Sequence, residues 1–228
     1  MKLREFETHC HTKEVSPCSK LSAEELVGLY HKHGYYALFI TDHFHVDVFE
    51  NPKMAHKSWE EKVDHYMEGY RRAKTEGDRL GVKVFFGMEC TPVQSPYDFL
   101  VYGADEAFLK ESGPFYQMEM KDFFHLMDTN GKIVFQAHPY RYGLEPENPA
   151  YYHGIEIFNA HPRHQSRNNL ALKFAFEHQL WTIAGSDVHQ PMDAARSGVM
   201  MPESVDSEKA FVDYYKNEGS PELIIICG

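Results

Sequence analysis

The chain has no long apolar run. Its longest stretches of that kind, such as residues 223–227, fall far short of the roughly 20 residues needed to cross a bilayer, which argues against a membrane span. The opening residues, M-K-L-R-E-F-E, place charges where a secretory leader needs its apolar centre, so the expectation is a soluble cytoplasmic protein. Basic charge is scarce as well. Lys and Arg number 23 against 34 Asp and Glu, for a net charge of −11, and no basic stripe stands out. That balance argues against an obligate nucleic-acid partner. It leaves room for a small anionic substrate, because bound cations can invert a local field. Cysteines are few (Cys10, Cys18, Cys90 and Cys227) and would stay reduced in a cytosol. No G-x-x-x-x-G-K-[ST] or G-x-G-x-x-G loop is present for nucleotide phosphates, and no G-x-S-x-G elbow for a nucleophilic serine. Repeats, low-complexity tracts and Pro/Ser-rich linkers are missing too. With 228 residues and 43% hydrophobic content, the chain reads as one domain over 1–228.

Histidine is what the chain has in excess, with 15 residues. Their placement begins at Arg4–Thr12, R-E-F-E-T-H-C-H-T. On a strand, side chains at i and i+2 share a side, so His9 and His11 would aim two imidazoles at one point. Protonated rings would repel there, whereas a metal ion takes neutral imidazole nitrogen from two directions. The same alternation points Cys10 away, as a small buried hydrophobe, and Cys90 beside Glu89 reads alike.

Apolar strand candidates fall at 3–8, 36–41, 82–87, 99–102, 132–137, 154–158, 181–184 and 223–226. Helical patterns lie between them. Residues 22–34 open on a serine cap with acids in the first turn and close on glycine. Residues 58–80, 121–129 and 165–179 are amphipathic, and 51–59 and 140–152 read as long loops. Near-continuous apolar strands alternating with helices predict an α/β fold with a parallel sheet covered on both faces.

The ligand-type residues then fall at strand ends. His9 and His11 close the first strand, Asp42 and His43 the second, and Glu89 the third. His138 closes the strand starting at Lys132, and Asp187 and His189 close the one starting at Trp181. In parallel barrels that carboxyl end is the mouth where strands converge. Imidazoles interleaved with carboxylates suit zinc, manganese or iron rather than calcium. The donors exceed what one tetrahedral ion needs, so two to three divalent ions are expected, with Glu89 able to bridge. Two ions about 3.5–4 Å apart can hold a hydroxide nucleophile and clamp a phosphoryl displacement.

The ordered set H-C-H-T, T-D-H, G-M-E, A-H-P and G-S-D-V-H resembles the PHP (polymerase and histidinol phosphatase) family over nearly the whole chain. The resemblance implies a distorted (β/α)7 TIM-like barrel and commonly a trinuclear metal site. It implies that His9, His11, Glu89 and Asp187 hold one ion, that Glu89 bridges to a second shared with His138, and that His43 and His189 hold a third. The family usually has an acid or histidine several residues beyond H-x-H. Here Glu14 is the candidate, at a shorter spacing. The family often adds a histidine between the Glu89 and His138 motifs, where this chain offers Asp98. Both residues have an ordinary alternative, as a loop glutamate and a strand-entry turn residue.

His45, His125, His153, His164 and His178 lack the strand-end placement and read as structural. His161 follows a strand and reads as a loop residue, while Asn159 is a candidate for orienting a ligand. Arg141 is the first candidate for binding a phosphate, Arg196 the second, with Arg163 and Arg167 behind. Asp187 or a histidine near the third ion, such as His189, is the candidate acid for the leaving alkoxide. These residues together predict a metal-dependent phosphoesterase using a bridging hydroxide on a small phosphorylated substrate. The resemblance allows histidinol phosphate, nucleoside phosphates or short oligonucleotides. A metal-dependent C–N hydrolase and a non-catalytic metal-binding regulatory module are the alternatives.

Overall fold

Ser22 opens the first helix as its pattern requires. Its hydroxyl accepts from the Glu25 N–H while the Glu25 carboxylate accepts from the Ser22 N–H, and Gly34 ends the helix in a left-handed conformation at φ 79°. The computed structural model describes residues 2–93 and 95–226, so Cys227 lies outside the described residues. Along the chain run β1 (Leu3–Glu7), α1 (Ala23–His33), β2 (Ala37–Ile40), β3 (His43–Phe44), α2 (Val46–Phe49), α3 (Trp59–Tyr66), α4 (Glu68–Leu80), β4 (Lys83–Cys90) and β5 (Phe99–Tyr102). They continue with α5 (Glu106–Ser112), α6 (Met120–Thr129), β6 (Ile133–Gln136), β7 (Gly154–Asn159), α7 (Asn168–His178), β8 (Trp181–Gly185), β9 (Ser197–Pro202), α8 (Glu208–Glu218) and β10 (Glu222–Ile225). The amphipathic stretch 58–80 is two helices that break at Met67. The sequence reading does not anticipate β9, α5 or α8.

The strands form one sheet in the order β10-β9-β1-β2-β4-β5-β6-β7-β8, with β3 beside β4. Pairs β1–β2, β2–β4, β3–β4, β6–β7 and β7–β8 are parallel. Pairs β4–β5, β5–β6, β1–β9 and β9–β10 are antiparallel. The sheet is therefore mixed, which corrects the parallel expectation. β5 follows β4 through residues 91–98, and that connection is too short for the crossover that parallel neighbours need. Closure comes from the segments after β1 and β8. Cys10 and Val188 form an isolated bridge, with His11 N–H donating to the Val188 carbonyl (3.2 Å) and Val188 N–H to the His9 carbonyl (3.3 Å). The result is a nearly closed, irregular TIM-like barrel.

One end of that barrel is filled with aromatic rings. Phe6, Phe39, Phe85, Tyr102 and Phe135 pack with Phe211 and Tyr215 of α8. The Phe39 ring sits 4.5 Å from Phe211 and 4.9 Å from Tyr102. Each such burial contributes about 1.5–3 kcal/mol. Tyr215 also donates to the Thr182 carbonyl (3.2 Å), and Lys216 to the Gly131 carbonyl (2.9 Å), at the starts of β8 and β6. α8 thus plugs the amino-terminal end and leaves the carboxyl end for polar groups. Among the described residues, no helix is long and apolar enough to cross a membrane.

Candidate metal centre

β1 ends at Glu7, whose buried carboxylate organises the adjoining loops. It accepts from the backbone N–H groups of Thr8, His9 and Ser186 at 2.9 Å each, and from the Tyr30 hydroxyl. Burial pushes the Glu7 pKa up, while the bonds from Ser186, Tyr30 and His9 oppose that rise. One carboxylate thereby ties the loop after β1 to the loop after β8. Further along the first of these loops, Cys10 turns into an apolar cluster with Leu26, Ile40 and Val188. Cys90 is likewise buried among apolar side chains. Gly185 lets the two loops approach, since a Cβ there would lie 2.5 Å from His9 Cβ.

His9 and His11 turn the other way and meet Glu89 and Asp187. His9 Nε2 is 3.2 Å from Glu89 Oε1 and 3.7 Å from Asp187 Oδ1. His11 Nε2 is 3.4 Å from Glu89 Oε2 and 3.5 Å from Asp187 Oδ1. His138 Nε2 lies 2.9 Å from Glu89 Oε1, and His43 Nδ1 2.8 Å from Glu89 Oε2. His189 Nδ1 approaches Asp187 Oδ1 at 3.3 Å. Glu89 sits within β4 rather than after it, opposite His43 on one side and Leu100 on the other. Among the described residues, three donor sets each bring one ligand atom per residue within 4.8 Å of the others: His9, His11 and Asp187; His9, Glu89 and His138; and His11, His43 and His189. Each could hold an ion.

The donor chemistry fits a divalent cation. His9 Nε2, His11 Nε2 and His43 Nδ1 are buried and, although they lie 3.2, 3.4 and 2.8 Å respectively from a Glu89 oxygen, none meets it in hydrogen-bond geometry or finds another partner among the described residues. Several unsatisfied nitrogens at one place are costly in an ordinary core. Burial works against charge on His9, but Glu156, Asp187 and Glu89 outweigh it and hold its pKa well above the usual value. Burial together with His43 and His189 pushes His11 well below its usual value. Burial favours the neutral acids at Glu89 and Asp187, yet His9 and the other cationic neighbours hold both well below the carboxylate range. A bound cation would supply the same counter-charge without a proton. The backbone is strained here too: His138 and Asp187 take φ of 27° and 54°, conformations that L residues rarely adopt.

A layer of buried polar groups braces the ligands. Glu156, in the middle of β7, reaches His9 Nδ1 with Oε1 (2.9 Å) and accepts from the His138 N–H (2.8 Å) and Asn159 Nδ2 (2.9 Å) with Oε2. Asn159 also donates to Asp187 Oδ2 (3.2 Å), the orienting part anticipated for it. The sequence reading misses Glu156, although one acid inside the apolar G-I-E-I-F was a signal. Asp42 accepts from the Thr12 N–H, the Thr12 hydroxyl and the Ser16 hydroxyl, each at 2.7 Å. Burial lifts Asp42 to about 6 against the pull of those bonds. It braces the loop rather than joining the donor sets.

Asp98 and Glu14 part ways. Because β5 runs antiparallel, its beginning lies at the mouth, and Asp98 Oδ2 is 3.8 Å from His138 Nε2 while Oδ1 accepts from the Thr91 hydroxyl (2.6 Å). Glu14 does not reach the cluster, which corrects its expected role. Its carboxylate accepts from the Ala23 N–H at the start of α1 (3.1 Å) and lies 3.3 Å from Arg72 Nη1.

Arg141 donates to Asp187 and Asn159, and its buried Nε has no partner among the described residues. It lines a cavity of about 340 Å³ with Cys18, His43, Arg163, Asp187 and His189. Arg163 pairs with Asp193 through two contacts of 2.6 Å and donates to His161 Nε2 (2.9 Å). His161, which burial pushes down to about 4, and His164 line this cavity rather than serving remote loops. Arg196 and Arg167 do not line it. Burial would raise the Cys18 thiol, but hydrogen bonds to His189 and His43 outweigh that and bring it to about 6.

No family model and no curated protein matches the sequence. Solved structures do. The chain is similar, at 18% identity and a TM-score of 0.62, to a two-domain protein from Bacteroides vulgatus containing a predicted PHP-like metal-dependent phosphoesterase, covering 87% of this chain and 59% of that one. It is similar to the lesion-specific endonuclease EndoQ of Pyrococcus furiosus at 12% identity and a TM-score of 0.63, covering 97% of this chain and 58% of that one. An amidohydrolase from Chromobacterium violaceum, with sulfate bound and no metal, matches at 14% identity and a TM-score of 0.56, covering 92% and 96%. The chain spans less than two thirds of the first two proteins. These likenesses show that the chain has the PHP-type barrel fold.

Proposed function

We propose that the chain is a metal-dependent phosphoesterase acting on a small phosphate monoester. The observation that carries this reading is the meeting of His9, His11, His43, Glu89, His138, Asp187 and His189 at the carboxyl end of the barrel, with buried imidazole nitrogens that make no hydrogen bond among the described residues. Two to three zinc, manganese or iron ions would be held there, with Asp98 as a further donor beside His138. When bound, such ions acidify water and offset charge on phosphoryl oxygens. The chain's own groups do the rest. Glu89 presents one oxygen to His9 and His138 and the other to His11 and His43, so it can bridge. Arg141 lines the cavity and binds a phosphoryl oxygen, exchanging part of its pairing with Asp187. Asp187 or His189 beside it moves a proton to the leaving alkoxide, and Asp187, which His9 and Arg141 keep ionised, would first take that proton from the attacking water. If Asp187→Asn keeps both turnover and its full metal content, that proton role goes.

The cavity of about 340 Å³ and the net charge of −11 favour a small monoester over a long polyanion. A cytoplasmic setting and independence of nucleic acid belong to the same reading. The likeness to an amidohydrolase favours a C–N hydrolase as the second reading. Elemental analysis of the chain as purified should give about two to three equivalents of transition metal, as a multinuclear site requires. Phosphate release from an aryl phosphate with manganese should follow. One equivalent or less after reconstitution would end the proposal. Amide hydrolysis without phosphate release would turn it to the second reading, and full loading without turnover to a binding module.

A further inference from the structure

Asp193 is wholly buried at the end of the single turn Pro191–Asp193, just after His189. Its Oδ2 accepts from the backbone N–H groups of His189 (3.1 Å) and Gln190 (2.8 Å). Arg163, from the loop after β7, meets the same carboxylate, Nη1 on Oδ1 and Nη2 on Oδ2, both at 2.6 Å. Nη2 also reaches His161 Nε2 (2.9 Å), whose ring stands edge-on to that of His189 with centroids 5.4 Å apart. With both terminal nitrogens committed, this guanidinium keeps no forked edge for a phosphate, although it lines the same cavity as Arg141. On the far side of the residue, the His189 carbonyl accepts from the Lys20 N–H (2.8 Å). The His189 ring is thus carried on backbone held from both sides, and what holds its N–H is a charged pair drawn from two loops.

Resting on the metal-centre reading above, we propose that Arg163 and Asp193 act as one positioning unit for His189, and that Arg163 takes no part in gripping the substrate. The guanidinium fixes the carboxylate so that one oxygen faces two consecutive N–H groups, which sets where residue 189 leaves the loop. Without its counter-charge the buried carboxylate is strongly disfavoured, and the turn relaxes away from His11 and His43. Because the pair joins the loops after β7 and β8, it also sets the spacing of His161 and His189.

Zinc retained by the full chain against a competing chelator tests this. Arg163→Gln and Asp193→Asn should each weaken retention by about tenfold or more, the size expected when a ligand's support is lost. The double variant should lose no more than either single one, because coupled residues are not additive. Arg163→Lys, which can still meet one Asp193 oxygen, should recover part of the loss. In excess zinc, KM for an aryl phosphate should match the parent in every variant. Should Asp193→Asn not fold, the two Arg163 variants decide alone. A raised KM with parental zinc in Arg163→Gln would make Arg163 a substrate contact and overturn the proposal. Additive losses, or parental retention in both single variants, would overturn it too while leaving the metal centre standing. A parent that retains no zinc would overturn both.

Discussion

Glu89 is a buried glutamate and Glu14 one whose side chain is 5% exposed, and in a chain rich in metal donors they do opposite work. Around the Glu89 carboxylate stand the imidazoles of His9, His11, His43 and His138, and three of the buried nitrogens there make no hydrogen bond among the described residues. Around Glu14 the neighbours are a guanidinium and a helix N–H, groups that carry protons, although Glu14 Oε1 itself makes no hydrogen bond among the described residues. Burial alone therefore does not mark a ligand. The kind of partner does: proton-bearing groups pair with a carboxylate, while several imidazole nitrogens converging on one carboxylate out of hydrogen-bond geometry suit a cation between them.

Substitutions can break this contrast. Glu89→Gln should lower hydrolysis by more than about 100-fold, beyond the usual effect of losing a ligand's supporting group, and should reduce the metal counted per chain. Near-parental turnover would erase the distinction. Glu156→Gln, which leaves the coordinating nitrogen of His9 in place but changes the group behind it, should weaken metal affinity by about 10- to 100-fold in competition with a chelator. Arg141→Lys keeps charge but loses the planar fork, and should raise KM for a phosphomonoester by about tenfold with metal content unchanged. Glu14→Gln is the smallest: metal content and turnover should match the parent, with a stability loss of up to about 1 kcal/mol in urea unfolding from the weaker contact at the start of α1. Loss of an equivalent of metal in that variant would return Glu14 to the cluster.

The strand-end register was legible because side-chain alternation is local: H-C-H and D-V-H each place two donors on one side of the backbone. Strand direction was not legible, because pairing is set by neighbours distant in sequence. Asp98, at the start of a strand, therefore reads equally as a turn residue, and only the antiparallel direction of β5 brings it to the mouth. β9, S-G-V-M-M-P, is short and contains both Gly and Pro, which blurs any strand pattern. Glu156 sits among apolar strand residues and could have been flagged, since a buried acid needs partners, whereas Glu7 in the mixed R-E-F-E-T carries no such signal. Cys18 and His161 lie in turns, where no periodicity indicates which way a side chain faces.

The pairing of Cys10 with Val188 also works as a parity lock. His9 and His11 flank one of these residues, and Asp187 and His189 flank the other. A slip of either segment by one residue would present a thiol or a valine to the mouth and drive charged side chains into the apolar cluster behind. The arrangement is all or nothing: only one of the two phases assembles the donors, and the penalty for the other is imposed by the core rather than by the metal. Misfolded copies would therefore be rejected before any ion is available to select among them.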